Sequence, residues 1–367
     1  MPEVFASGHA AASDWQEAVR SVAAQLGDLD DDDIGFVYVT DHVADHLHDV
    51  VGFLAAATGL DQWCGTVGIG VLSNPVESFD KPAIVALACR LPGARAHVFR
   101  SVDEAVGRWR QPESGDTAGF GIVHGDPRHA DVLDGLVRLA RETGSYLVGG
   151  LASSRAGSPT HAGGGAGDGL SGVLLSGARV ATALTQGCSL LDGSHEVTRA
   201  DGNAVLELDG RPVFDVLGER FSGARGSERP VDPASLHVAL PIAGSDAGAF
   251  VVRNIIGIDP NQHAMLLAEE VSRGDVLMFC VRDHEAAEAD LRRMLQSLKS
   301  RASRPLGGLY FSCLARGPHM FGAVNREMEI IRDVLGDVPV AGFFSNGEIS
   351  LDRLYAYTGV LTLFRDD

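Results

Sequence analysis

Gly308-Leu-Tyr-Phe-Ser-Cys313, the stretch from about Phe321 to Leu335, and Val340-Ala-Gly-Phe-Phe344 read in turn as strand, helix and strand, with Gly336 as the helix stop. Upstream the alternation continues. Val276 to Val281 reads as a strand before a helix from Asp283 to about Lys299. Phe250 to Ile258 reads as a strand before a helix capped by Asp259-Pro260 and closed near Gly274. Downstream, Asn346-Gly347 is a strong hairpin signal toward a last strand around Tyr357 to Phe364. Strand–helix alternation predicts a sheet covered by helices, and the closing hairpin predicts that the sheet is mixed. The expected class is α/β, with mixed β-sheets covered by helices in two related lobes.

The N-terminal half alternates less regularly. Ser13 and Gln16 have capping-box spacing ahead of a helix to Leu26, with Trp15, Ala18, Val19, Val22 and Leu26 as its apolar stripe. A strand, Gly35 to Thr40, precedes a helix from Asp41 lined by Val43, Leu47, Val50, Val51 and Leu54. Thr66 to Leu72 and Ala83 to Cys89 read as strands, and Ser101 with Glu104 caps a short helix. After strand Gly119 to His124, Asp126-Pro127 starts a helix whose buried face is Val132, Leu133, Leu136, Val137 and Ala140, stopped at Gly144. Tyr146 to Gly150 is a strand, and the Gly-rich 157–169 reads as a loop. Extended runs at Gly172–Leu175, Val180–Thr185 and Val205–Leu208 are joined too closely for crossover helices, so they predict an antiparallel section. No fixed-period repeat is visible. The polar, aperiodic 218–234 reads as a linker. It divides the chain into an N-terminal helix and acidic loop (1–34), a first domain (35–217) and a second domain (235–367).

Composition narrows the function classes. Thirty basic residues against 49 acidic ones give a net charge of −19, a field that repels phosphate backbones and anionic headgroups, so neither nucleic acid nor a membrane surface is an expected partner. The five cysteines include no CxxC pair and four sit in strand-like runs, as buried reduced thiols do. Neither a disulfide framework nor a zinc site is expected. No secretory signal and no apolar run of about 20 residues appear, which predicts a cytoplasmic location.

Three motifs invite chemistry. Asp41-His42-Val-Ala-Asp45-His46-Leu-His48 places His42 and His46 one helical turn apart, but lacks the Glu after the first His that a metalloprotease helix uses. It reads as a polar helix face, and no metal or cofactor is expected. Gly163-Gly-Gly-Ala-Gly167 has no lysine and precedes a strand, so it is not a phosphate cradle. Cys313 ends a strand near Arg316, a setting that favours thiolate. A nucleophilic role would still need a base, for which only His319 or His124 offers itself. A buried structural thiol is the reading preferred here. Polar residues at the ends of several strands are the broader signal, because ligands bind beyond the carboxyl ends of strands in α/β sheets. Arg316 and Glu348 do not sit at plausible helix caps, and Arg253 lies inside an apolar strand, where its charge must be paired or face a polar cavity.

These same segments carry a resemblance. Arg253-Asn-Ile-Ile-Gly-Ile-Asp259-Pro260, Phe311-Ser-Cys-Leu-Ala-Arg-Gly317 and Ala341-Gly-Phe-Phe-Ser-Asn-Gly-Glu-Ile349 resemble signature segments of the FIST C-terminal domain. Gly149-Gly-Leu-Ala-Ser153, Gln186-Gly-Cys188 and His195-Glu-Val-Thr198 through Asp209-Gly-Arg-Pro212 resemble the FIST N-terminal domain. Where the family carries a His-containing segment before its last strand, this chain has Tyr355-Ala-Tyr357-Thr358. The resemblance implies a stand-alone sensory, signal-transduction protein that binds a small polar metabolite, such as an amino acid, and acts on a separate signalling protein. It implies Arg253, Cys313, Arg316, Gly317, Phe344 and Glu348 as ligand-binding or signature positions, and no catalytic residue. Arg253 or Arg316 is expected to clamp a ligand carboxylate, and Glu348 to pair a ligand amine, or one of those arginines in the empty state. A cysteine-dependent enzyme using Cys313 and a protein-interaction scaffold are the alternatives.

Overall fold

In the computed structural model the described residues are 5–30, 33–91, 93–109, 119–155, 159–222, 232–242 and 250–366. The chain forms two compact units, Met1–Thr185 with Leu291–Asp367, and Gln186–Asp290. These units do not follow the division read from the sequence. The polar stretch taken as a linker begins inside a helix, and its residues 223–231 lie outside the described residues.

Elements in the first unit repeat. The first set is β1 (Phe5–Ala11), α1 (Trp15–Leu26), β2 (Ile34–Thr40), α2 (Leu47–Thr58), β3 (Trp63–Gly68), β4 (Gly70–Ser73), β5 (Val76–Phe79) and β6 (Ala83–Cys89). The second is β7 (Arg95–Phe99), α3 (Val102–Arg108), β8 (Gly119–Gly125), α4 (Val132–Thr143), β9 (Ser145–Leu151), β10 (Thr160–Ala162), β11 (Gly165–Ala166) and β12 (Leu170–Ser176). A third set opens with β13 (Val180–Thr185) and is interrupted by the whole second unit. That unit holds β14 (Ser189–Asp201), β15 (Ala204–Leu208), β16 (Arg211–Pro212), α5 (Val213–Ser222), β17 (Leu236–Pro241), β18 (Phe250–Asp259), β19 (Ala264–Leu267) and β20 (Val276–Val281). The third set then resumes with α6 (His284–Arg301), β21 (Pro305–Cys313), α7 (Pro318–Phe321), α8 (Arg326–Leu335), β22 (Val340–Ser345), β23 (Glu348–Ser350), β24 (Arg353–Tyr355) and β25 (Gly359–Arg365).

Each set builds one mixed sheet on one plan. Two parallel strands (β2–β3, β8–β9, β21–β22) are flanked on the first strand's side by two antiparallel ones (β6 and β1, β12 and β7, β25 and β13). The far side is completed by a hairpin from another set. Hairpin β4–β5 joins β22, β10–β11 joins β3, and β23–β24 joins β9. The exchange is cyclic, so each sheet is incomplete without a neighbour. The fold is α/β, and its internal likeness lies among three sheets of one unit rather than between two lobes.

Alternation along the strands explains this packing. One face of each sheet enters a shared core containing Phe36, Tyr38, Phe120, Ile122, Leu309, Phe311 and Phe343. The other face of the first sheet packs Val37 and Val39 against Val19, Val22 and Leu54 of its helices, and the second sheet packs Val123 against Leu136 and Leu139. Strands covered on both faces read as continuous apolar runs, as β2 and β6 do. The second unit is different. Its strands run in the order β14-β20-β17-β18-β19-β15, and β14 pairs with β15, closing a six-stranded antiparallel barrel. Val197, Val238, Met265, Leu277 and Phe279 fill it, with Val213 and Leu217 of α5.

Several local readings change. Asp14 rather than Ser13 caps α1, accepting from Glu17 N–H at 2.8 Å. Asp126 instead pairs with Arg128, and α4 starts at Val132 with Leu133 and Val137 exposed while Leu139 is buried. Within the Gly-rich stretch, β10 and β11 form a hairpin. No helix follows β18. Asp259 Oδ1 accepts from the N–H of Asn261 and of Gln262, and this turn returns the chain directly into β19. Asn346-Gly347 does not join β22 to β25; it carries the chain from one sheet to another, and the hairpin comes later, between β23 and β24. None of the described helices is long and apolar enough to cross a membrane.

Candidate functional site

Five of the six expected residues gather at the carboxyl ends of β21 and β22. The parallel register sets Cys313 beside Ser345 and Ser312 beside Phe344. Gly317 has φ of +58°, and a Cβ there would come within 3.0 Å of the Phe344 ring, so glycine is needed for both backbone and contact. That turn directs the Arg316 guanidinium inward, to a position 5.1 Å from the Phe321 ring centroid.

Arg316 and Glu327 are both fully buried. The guanidinium Nε and Nη2 lie 2.9 and 2.8 Å from Glu327 Oε1, and Nη1 donates to Thr185 O at 3.5 Å. Tyr310 OH donates to the same carboxylate at 2.5 Å, and Ser312 Oγ is within 3.1 Å of both its oxygens. Burial pushes the Tyr310 phenol well above its ordinary range, with the Glu327 charge adding to the effect. Gly359 makes room for this hydroxyl, since a Cβ there would lie 2.3 Å from it. Glu327 stands in the first turn of α8, where a negative charge also complements the helix dipole.

Two further carboxyls border the pair. Glu348 is fully buried and accepts from Ser345 Oγ at 2.6 Å and from Thr358 Oγ1 at 2.7 Å. Burial raises its pKa to about 7, against those hydrogen bonds and the Arg316 charge. Glu77, on β5, is 5% exposed. Burial and then the Glu327 charge push it to about 7 as well.

The third sheet differs here from the other two. On the helix-covered side of β2 and β8 the residues are Val37 and Val39, and Gly121 and Val123. On β21 they are Tyr310 and Ser312, which reach Glu327. One copy of a repeated apolar layer has thus been replaced by a buried ionic network.

Arg253 belongs elsewhere. It lies on β18 in the second unit, opposite Val238, and its Nε is bonded to Glu269. Of the two outcomes open to a charge in an apolar strand, it is paired. Arg316 is paired too, so neither guanidinium is an open clamp. The clefts around Ser101, His129 and Arg138, around Arg100 and Gly163, and around Arg20 and Phe53 are lined by other residues.

The nucleophile reading loses its geometry. Cys313 is 7% exposed, and burial, then the Glu348 charge, push its thiol up to about 12. His124 points into the shared core, with Nε2 3.2 Å from Tyr38 OH, and burial lowers its pKa to about 3. His319 is exposed on α7. We therefore expect iodoacetamide to spare Cys313 in the folded protein near neutral pH and to label it on unfolding, a contrast read by peptide mass mapping. The histidines of the polar helix face also part company. His46 pairs with Asp49 and stacks on Trp15, while His48 Nδ1 meets His161 Nδ1 at 2.7 Å.

The FIST N domain family matches residues 33–211 and the FIST C domain family residues 214–350. The chain belongs to the FIST family. FIST domains are signal-transduction sensory domains. Curated relatives include an uncharacterized protein of Mycobacterium tuberculosis, 35% identical over 207 residues, which are 54% of this chain and 54% of that protein. An uncharacterized protein of Mycobacterium bovis is 35% identical over 208 residues, again 54% of each chain. The chain spans about half the length of the curated relatives it matches. The boundary between the two FIST matches falls inside the second compact unit, so the FIST domains are divisions of sequence rather than of packing.

The FIST signature segments meet through long-range contacts. Ser153 Oγ donates to Phe344 O at 2.5 Å, and Leu151 N–H to Gly347 O at 2.9 Å, joining Gly149–Ser153 to Ala341–Ile349. In the second unit His195 Nδ1 lies 2.7 Å from Asp209 Oδ2. Glu327, Tyr310, Ser312, Thr358 and Glu77 were not anticipated. Glu327, in Asn325-Arg-Glu-Met-Glu329, and Glu77, in Val76-Glu-Ser78, carry no local signal of burial; the other three look like ordinary strand or turn residues.

Proposed function

We propose that this FIST protein is a small-ligand sensor that takes an amino acid, or a similar polar carboxylate, at the carboxyl ends of β21 and β22. The observation that carries this reading is the buried Arg316–Glu327 pair beside Glu348, met by Tyr310 and Ser312 where the two related sheets have Val and Gly. The ligand carboxylate takes the guanidinium fork in exchange for Glu327, and Glu348 receives the ligand amine. Because Glu327 belongs to the first turn of α8, its release changes how that helix is held. A separate signalling protein then reads the change.

The test is thermal unfolding of the full chain with each of the common amino acids and simple dicarboxylates. A ligand at 100 times its Kd stabilises by about 2.7 kcal/mol. We expect one class to raise the Tm, with the rise lost in Arg316→Lys and in Glu348→Gln. No shift with any of these compounds, or a shift that survives both substitutions, overturns the reading.

A further inference from the structure

The five cysteines are all free, but two are not isolated. Leu190 of β14 faces Cys280 of β20, and Ser189 facing Val281 is the last rung of that ladder. Counting back from Leu190 sets Cys188 diagonally across from Cys280 on the same face. The neighbouring Cys188 thiol, ahead of burial, is the first cause that raises the Cys280 thiol above its ordinary range. Cys188 precedes the strand, so the ladder does not fix its backbone. The segment leading to it is anchored instead by Asp290, whose Oδ2 accepts from Gln186 N–H at 2.8 Å and from Gly187 N–H at 3.3 Å. Cys188 is partly exposed, whereas Cys64, Cys89, Cys280 and Cys313 are buried.

We propose that Cys188 and Cys280 are a reversible disulfide site, oxidised by hydrogen peroxide, that staples the start of β14 to β20. Access decides the order. Cys188 sulfur attacks one peroxide oxygen; the S–O bond forms, the O–O bond breaks, and the departing hydroxide leaves as water with the thiol proton. Cys280 sulfur then attacks the sulfenic sulfur; the S–S bond forms, and hydroxide leaves as water with the Cys280 proton. Two thiols are oxidised and one peroxide is reduced to two waters. The neighbouring Cys188 thiol and burial both hold Cys280 as the thiol until then, while the nearby Arg282 charge favours its thiolate. His237 faces Cys280 from β17, the other neighbouring strand. Closing the bond requires the sulfurs to approach to about 2 Å, which the unladdered Cys188 backbone permits.

Peroxide treatment of the full chain, alkylation and digestion without reductant provide the test. The expected product is a Cys188 peptide linked to a Cys280 peptide, lighter by two hydrogens, released by dithiothreitol, and lost in Cys188→Ser and in Cys280→Ser. Cys280→Ser should also let Cys188 run on to sulfinic acid. The proposal fails if wild-type Cys188 reaches sulfinic acid with Cys280 still a thiol, or if Cys188 links only between two chains.

Discussion

Glu327→Ala is expected to destabilise the first unit by about 3–5 kcal/mol, the cost of leaving a buried guanidinium without its carboxylate. Arg316 is fully buried against the Phe321 ring, so water does not solvate the charge left behind. Tyr310 and Ser312 lose their acceptor at the same stroke. The converse experiment is as informative. Arg316→Met with Glu327→Leu removes both charges and should recover most of the loss, because replacing a buried pair by apolar groups is often neutral or better. Trp15, Trp63 and Trp109 are the protein's three tryptophans, and all lie in the first unit. Urea unfolding followed by tryptophan fluorescence therefore reports on that unit. A double variant as unstable as Glu327→Ala would mean that the pair contributes through geometry that apolar groups cannot replace.

Stability of the same unit should fall as pH rises from about 4.5 toward 7. Glu348 and Glu77 each have a folded pKa of about 7 against an ordinary 4.5. In that window the folded state binds protons that the unfolded state has released, so the slope of unfolding free energy with pH is negative. The stabilisation is complete below about 4.5 and lost through 7, and each group accounts for about 3 kcal/mol over the interval. Glu348→Gln and Glu77→Gln keep the neutral shape at all pH and should each flatten the slope. Comparing urea midpoints of wild type and variants at about pH 5 and about pH 8 isolates the term. Unchanged slopes in both variants would show that these carboxyls titrate in the folded protein as they do in the unfolded chain.

The exchanged hairpins show why the topology was harder to read than its elements. β4, β10 and β23 each pair with a strand from a different set, and nothing in a short polar-flanked run names its partner. Asn346-Gly347 has the composition of a tight hairpin, yet the chain there crosses between sheets because β9 offers Ile349 a pairing edge. Leu133 and Val137 fit an apolar stripe equally well, but α4 is rotated to bury Leu139 instead. The threefold repeat stays hidden because its sets share alternation and length rather than residues, and the second unit interrupts the third set.

By itself, the sequence determined the α/β class and the existence of most strands and helices, and its resemblance to the FIST family named five residues that meet at the ends of β21 and β22. Local periodicity, capping and turn chemistry act over a few residues, and the spacing of Cys313, Arg316 and Gly317 is of that kind. Tertiary structure alone decided that Arg316 is neutralised by Glu327, that Glu77 and Glu348 stand beside that pair, that Arg253 belongs to another unit, and that Cys188 lies against Cys280. Each depends on which distant groups share a water-free space, and desolvation and pairing are set by that neighbourhood rather than by the residues adjacent in the chain.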